Sequence, residues 1–188
     1  MGLDMYLEKE YFVGAKYEHR KVAGVIDITV NDKELPVNFS KVSNIVEEVG
    51  YWRKANAIHA WFVDNVQDGV DDCGRYYVSR DKLKELLETV NKVLDSIELV
   101  DGQVDNGWTY EKDADGNMVK TDIFVDGKTV KDWTVADELL PTRVGFFFGG
   151  TGYDEYYVDD LKLTKKIIED ALEGDTGGGT SFFYQSSW

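Results

Sequence analysis

The chain has 188 residues, of which 43% are hydrophobic and 13% aromatic, enough material for one folded domain and against disorder. Lys and Arg number 21 against 36 Asp and Glu, a net charge of −15. A surface this acidic repels nucleic acid and anionic membrane, which are polyanions, and favours basic protein surfaces.

The opening MGLDMYLEKE is too acidic and polar for a secretory signal. Tyr6 stands where the myristoylation pattern needs Ser or Thr. No run of about 18 apolar residues is present to cross a membrane, so the expected location is the cytoplasm. From Leu3 to Val13 apolar and polar residues alternate, the period of a strand with one buried face. Val25 to Val30 alternates in the same way. Asn31-Asp32 and then Glu34-Leu35-Pro36-Val37 suggest a hairpin, with Pro36 placing its second strand at an edge.

Val42, Ile45, Val46, Val49 and Trp52, then Ile58 and Phe62, follow helical spacing. The expectation is a helix capped by Ser40 or Ser43, bent or divided at Gly50 and stopped near Asp68-Gly69. Tyr76-Tyr77-Val78 leads to Ser79 as N-cap, and Leu83, Leu86, Leu87, Val90 and Leu94 form one helical face. Tyr156-Tyr157-Val158-Asp159, followed by Leu163, Ile167, Ile168, Ala171 and Leu172, repeats the theme. Either the unit is duplicated or two helices obey the same start rules.

Between them, residues 97–138 carry Asp101-Gly102, Asn106-Gly107, Asp115-Gly116 and Asp126-Gly127, dipeptides that supply hairpin turns. Trp108–Tyr110, Met118–Lys120 and Ile123–Val125 read as strands of a β-hairpin insertion. Asp113–Asn117 resembles a calcium loop superficially, but its Gly is fourth rather than sixth and no Glu stands twelfth, so it reads as a turn. Val144 to Phe148 reads as a buried strand. Gly149-Gly150-Thr151-Gly152 then leads to a helix beginning between Asp154 and Asp159. After a glycine-rich hinge at 174–179, the closing SFFYQSSW is expected to dock as an edge strand on its own chain or on a neighbour's. The fold class is therefore α+β: a mainly antiparallel sheet against about three helices.

The residues with most chemical content lie at 48–62. On a helix, Trp52, Asn56 and His59 share a face with Arg53 beside them. One reading is that these polar groups bond to backbone and fix the fold. The other is a pocket in which Arg53 forks an anion, Tyr51 or Trp52 stacks on a planar group, and His59 transfers a proton. Lys54, Arg75 and Arg143 are further cations near it. The loop Phe148, Gly149, Gly150, Thr151, with Tyr153, forms an opposite wall. It is either a structural turn or an anion cradle at a helix N-terminus. Without Gly-Lys-Ser/Thr it is no P-loop. Cys73, the one cysteine, reads as an inert buried thiol rather than a partner of His59. No zinc spacing occurs, and no metal or cofactor is expected; Asp71, Asp72 and Asp154 leave magnesium open.

Four stretches, MGLDMYL, EVGYWRKANAIHAWFVDNVQDGVDDCG, GFFFGGTGYDEYY and the terminal FYQSSW, resemble a family of small proteins encoded by bacteriophages and prophages. The resemblance spans both ends and the helical body and leaves out the hairpin insertion. It brings no established activity and transfers no catalytic residue. It implies expression in a bacterial cytoplasm, during infection or from a prophage. In that setting the expected function is non-enzymatic antagonism of host defence by sequestering a small, nucleotide-like ligand. The alternatives are an acidic inhibitor that binds a host protein, mimicking nucleic acid, and a small nucleotide-processing enzyme. A homo-oligomer through the aromatic tail is expected.

Overall fold

A computed structural model describes residues 2–14, 29–34, 37–38, 41–145, 150–175 and 178–188. The fold is α+β. Four antiparallel strands form the main sheet in the order β4-β1-β8-β5: β1 is Asp4–Phe12, β4 Asn44–Arg53, β5 Arg75–Val78 and β8 Thr180–Ser187. Helices α1 (Asn56–Val66), α2 (Arg80–Ser96) and α4 (Glu155–Leu172) supply most of the rest of the core.

Strand β1 obeys its alternation. Met5 and Leu7 are fully buried while Asp4, Tyr6 and Glu8 on the other face are not. The buried face is continued by Trp52, Val78, Phe182 and Tyr184, and against it lie Ile58, Phe62, Leu83, Leu86, Leu161 and Ile168. Helix α2 starts where Ser79 accepts a hydrogen bond from Lys82 N–H at 3.2 Å; Leu83, Leu86 and Val90 are buried as expected, Leu87 and Leu94 are partly buried, and Val93 joins them. Helix α1 ends at Val66, with Asp68 and Gly69 both in the left-handed region.

Residues 44–53 are a strand, not the first part of a helix. They pair with β1 from Asp4↔Arg53 to Phe12↔Asn44, through a bulge beside Leu7 and Glu8. Their β-branched and aromatic composition suits a pleated surface, and tertiary pairing overrides the apparent helical period. Ser43 therefore caps nothing; its carbonyl accepts from Val13 N–H at 2.9 Å. Ser40 lies outside the described residues. Gly50 is not a helix bend but a contact point: a Cβ there would stand 2.3 Å from the Ile167 side chain on α4. The chain turns from β4 into α1 at Lys54, at φ 61°.

The duplication fails. Tyr76–Val78 lie in β5, but Tyr156–Val158 lie inside α4, which begins one step earlier with Asp154 as its N-cap. The expected strand at Val144–Phe148 is not formed at its start, where Val144 is 82% exposed; Phe146–Gly149 lie outside the described residues. The tail is not an edge. Strand β8 runs between β1 and β5, pairing with β1 from Asp4↔Ser187 to Tyr11↔Thr180 and with β5 from Arg75↔Gln185 to Val78↔Phe182. Its Phe182 and Tyr184 are fully buried on the core face, and its backbone is paired on both sides rather than left as an open edge.

Strands β2 (Thr29–Val30) and β3 (Lys33–Glu34) form the short early hairpin, with Asn31 and Asp32 at φ 52° and 60° in its turn. Residues 25–28 and 35–36 of that reading lie outside the described residues. The insertion is one long hairpin, β6 (Leu99–Lys112) and β7 (Met118–Val130), followed by the short helix α3 (Thr134–Leu139), which the sequence reading did not anticipate. Asp113–Asn117 is the turn: Asp113 Oδ1 accepts from the N–H groups of Asp115 and Asn117 at 3.0 and 2.8 Å, and Gly116 takes φ 85°. Asn106-Gly107 is a bulge rather than a second turn. Gly102 and Gly127 face each other across the ladder.

Asp160 on α4 has no hydrogen-bond partner for its carboxylate among the described residues. Burial, with the charges of Asp154 and Asp159 adding to it, pushes its pKa up to about 7. The folded state therefore holds this proton more tightly than the unfolded chain does. The site costs nothing below about pH 4, and its penalty grows as pH rises to about 7 and then levels. Asp160→Asn is expected to raise stability at pH 8 by about 1–3 kcal/mol and to leave it unchanged at pH 4, read from urea unfolding at the two pH values. Equal gains at both would contradict the burial argument.

Candidate functional site

The residues expected to form one pocket divide among four places. Trp52 is fully buried, and its Nε1 donates to Thr164 Oγ1 at 2.9 Å while its ring packs edge-on to Phe62. It belongs to the core and has no surface to offer a ligand. Tyr51 and Arg53 alternate with it and emerge on the opposite face of the sheet. Both turn to Asp4: the Tyr51 hydroxyl donates to its carboxylate, and Arg53 Nε lies 3.9 Å from Oδ1. The Asp4 hydrogen bond raises the Tyr51 pKa.

Asn56 opens α1, and its backbone N–H bonds to Lys54 O at 2.8 Å. One turn later His59 is held at both ring nitrogens. Nδ1 lies 2.7 Å from the Tyr184 hydroxyl and Nε2 lies 3.1 Å from Asp71 Oδ2. The other carboxylate oxygen of Asp71 accepts from the Trp188 indole at 3.2 Å. Burial, and after it the nearby charges of Asp71 and Cys73, holds the Tyr184 phenol well above its usual range. An Asp–His–hydroxyl chain resembles the order of a nucleophile relay, yet its hydroxyl belongs to a residue with no exposed surface, stacked on Phe62 at 3.9 Å. With both nitrogens engaged, His59 ties the loop after α1 to the central strand β8. Sequence reading missed Tyr184 and Trp188 in this cluster; they stand 125 and 129 positions from His59, and no local pattern links them.

Cys73 sits in that loop at φ 59°, its carbonyl accepting from Gln185 Nε2 at 3.1 Å. It is partly exposed rather than buried. Asp72 accepts from Gly74 N–H and from the Tyr76 hydroxyl, at 2.8 and 2.9 Å. Asp71, Asp72 and Asp154 are thus each engaged separately. No group of three or more His, Cys, Asp and Glu among the described residues is arranged to hold a metal.

The glycine-rich wall lies elsewhere. Phe148 and Gly149 fall outside the described residues; Gly150 and Thr151 are exposed. The N-terminus of α4, where an anion would bind, is closed by its own Asp154. Its Oδ1 accepts from the N–H groups of Tyr156 and Tyr157 at 3.0 and 3.1 Å. Burial raises the Asp154 pKa while those hydrogen bonds pull it down. Tyr153 stacks on Trp133 at 5.4 Å and donates to Asp137 at 2.7 Å, which fastens α3 to the start of α4.

The arginines complete the picture. Arg75 bonds Glu8 and Glu10 at 2.7 and 2.9 Å and lies 3.6 Å over the Phe183 ring. Arg80 pairs with Asp175, and Arg143 lies 4.0 Å from Asp64. With Arg53 on Asp4, each of the described arginines has a carboxylate of its own chain within 4.0 Å. No helix among the described residues is long and apolar enough to cross a membrane. Comparisons with protein-family models, with curated proteins and with solved structures each find no match.

Proposed function

We propose that this chain is a non-enzymatic, phage-encoded accessory protein that acts by binding a basic surface of a host protein. The observation that carries this reading is the engagement of the described arginines by internal carboxylates. An anionic ligand would have to displace those partners inside a field of net charge −15, whereas a cationic partner is attracted by it. The resemblance to phage and prophage proteins supports the host setting. The dispersal of Tyr51, Trp52, Arg53 and His59 over separate faces favours this reading over the sequestration of a nucleotide-like molecule.

The test is to purify the chain from bacterial cells and divide it. One half is denatured and its small molecules are weighed by mass spectrometry; the other is crosslinked and its protein partners are identified. The expected result is a protein partner whose retention falls steeply as salt is raised, and no equimolar small molecule. A nucleotide recovered in equimolar amount, and lost in Arg53→Ala, would reverse the assignment in favour of sequestration.

A further inference from the structure

Resting on that reading, the geometry points to the β6–β7 hairpin as the arm that enters the partner, and to a groove with an apolar floor and a Lys/Arg rim as what receives it. Thirteen or fourteen residues per strand give a ribbon about 40 Å long. Its base is fixed to the body. Val130 is buried in the core and its N–H bonds to Tyr153 O at 2.8 Å; Thr129 bridges to Asp154, and Lys128 N–H donates to Glu155 at 3.3 Å. A two-stranded ribbon beyond such a base is marginal in water unless its apolar side chains find cover.

They have little cover here. The register puts Trp108 opposite Asp122, Tyr110 opposite Lys120 and Lys112 opposite Met118, so Trp108, Tyr110, Met118 and Phe124 share one face. These four are each 55–58% exposed, and Trp108 and Tyr110 pack edge to face at 5.2 Å. A contiguous aromatic patch at that exposure marks an interaction surface, and Trp and Tyr are the residues that anchor such surfaces.

Charge decides the occupant. Residues 99–130 carry seven acids against three lysines. Lys128 is held by Asp101 at 2.6 Å, and Lys120 by Asp122 at 3.4 Å while it lies over the Trp108 ring. Asp105, Glu111, Asp115 and Asp126 meet no cation among the described residues, and two of them, Asp105 and Asp126, flank Phe124. A second copy would bring two such acid-rimmed arms together, with like charges opposed. A cationic rim around an apolar floor satisfies both the carboxylates and the rings.

The test immobilises the intact chain and challenges it with a bacterial extract divided by cation exchange into basic and acidic fractions. Four chains are compared: the wild type, the pair Trp108→Ser/Phe124→Ser, the pair Asp105→Lys/Asp126→Lys, and the control Val144→Ser, an exposed apolar site off the arm. All four must show the same thermal midpoint. The expected result is retention from the basic fraction only, cut at least roughly tenfold by either hairpin pair and unchanged in the control. Retention that ignores both pairs leaves the protein-binding reading standing and removes the hairpin from it. Retention from the acidic fraction, or from neither, overturns the cationic groove. A concentration-dependent dimer that the hairpin pairs abolish, seen by light scattering, would assign the arm to a second copy instead.

Discussion

A chain ended after Gly179 is expected to lose its cooperative fold. The missing segment is a central strand, so its removal leaves β1 and β5 without their shared neighbour and separates the sheet into β4–β1 and an isolated four-residue β5. Phe182 and Tyr184 are both fully buried, and each contributes about 1.5–3 kcal/mol through burial alone. Phe62 loses its stacked partner, and His59 loses the hydroxyl at Nδ1. Together with the exposed ladder these losses are comparable to the 5–15 kcal/mol or so that holds a domain of this size. Urea titration of the truncated chain, followed by circular dichroism, should show no sigmoidal transition. Adding a synthetic peptide of residues 178–188 should restore one, because the rest of the core is intact in sequence. A truncated chain that unfolds at the wild-type midpoint would mean that β8 is not structurally central.

That outcome bears on what could be read from the chain before folding. Patterns confined to one element were legible. The alternation of β1, the Ser79 cap and apolar face of α2, and the Asp113–Asn117 turn all depend on neighbours a few positions away. Strand β4 was not legible, because Ile45, Val46, Val49 and Trp52 also satisfy a helical period and its outer half is exposed rather than alternating. Only its pairing with β1, about forty residues earlier, decides the matter. The tail reads as a strand at an edge, since nothing local reveals that β5 will lie on its far side. The candidate site failed for the same reason. A shared helix face for Trp52, Asn56 and His59 required one continuous helix, and the strand beneath Trp52 sends it to the core while Tyr51 and Arg53 go the other way. The aromatic residues of the hairpin read only as strand content, because exposure is a property of what packs nearby and not of composition.

Asp175→Ala is expected to cost about 3–5 kcal/mol, the usual penalty for orphaning a buried charge. Asp175 ends the turn after α4 with a side chain only 2% exposed, and Lys9, Arg80 and Thr180 are among its partners. Lys9 Nζ approaches at 3.8 Å with a side chain 8% exposed, and Arg80 grips the same carboxylate. Thr180 Oγ1 donates to it at 2.7 Å, which ties the turn to the first residue of β8. Both cations depend on it in different ways. Lys9 also donates to Ala171 O at 3.3 Å, near the C-terminal end of α4, where a cation is welcome. Arg80 is the first residue of α2, where the helix dipole opposes a positive charge, so it relies on the carboxylate. Removing Asp175 leaves the Lys9 charge buried and the Arg80 charge misplaced. If the cost is that orphaned charge, Lys9→Met should relieve most of it. The comparison is Asp175→Ala measured in the wild-type and in the Lys9→Met background by urea unfolding. A penalty in the second well below that in the first confirms that uncompensated charge sets the cost. Equal penalties would instead locate it in the Thr180 and Arg80 hydrogen bonds that seat β8.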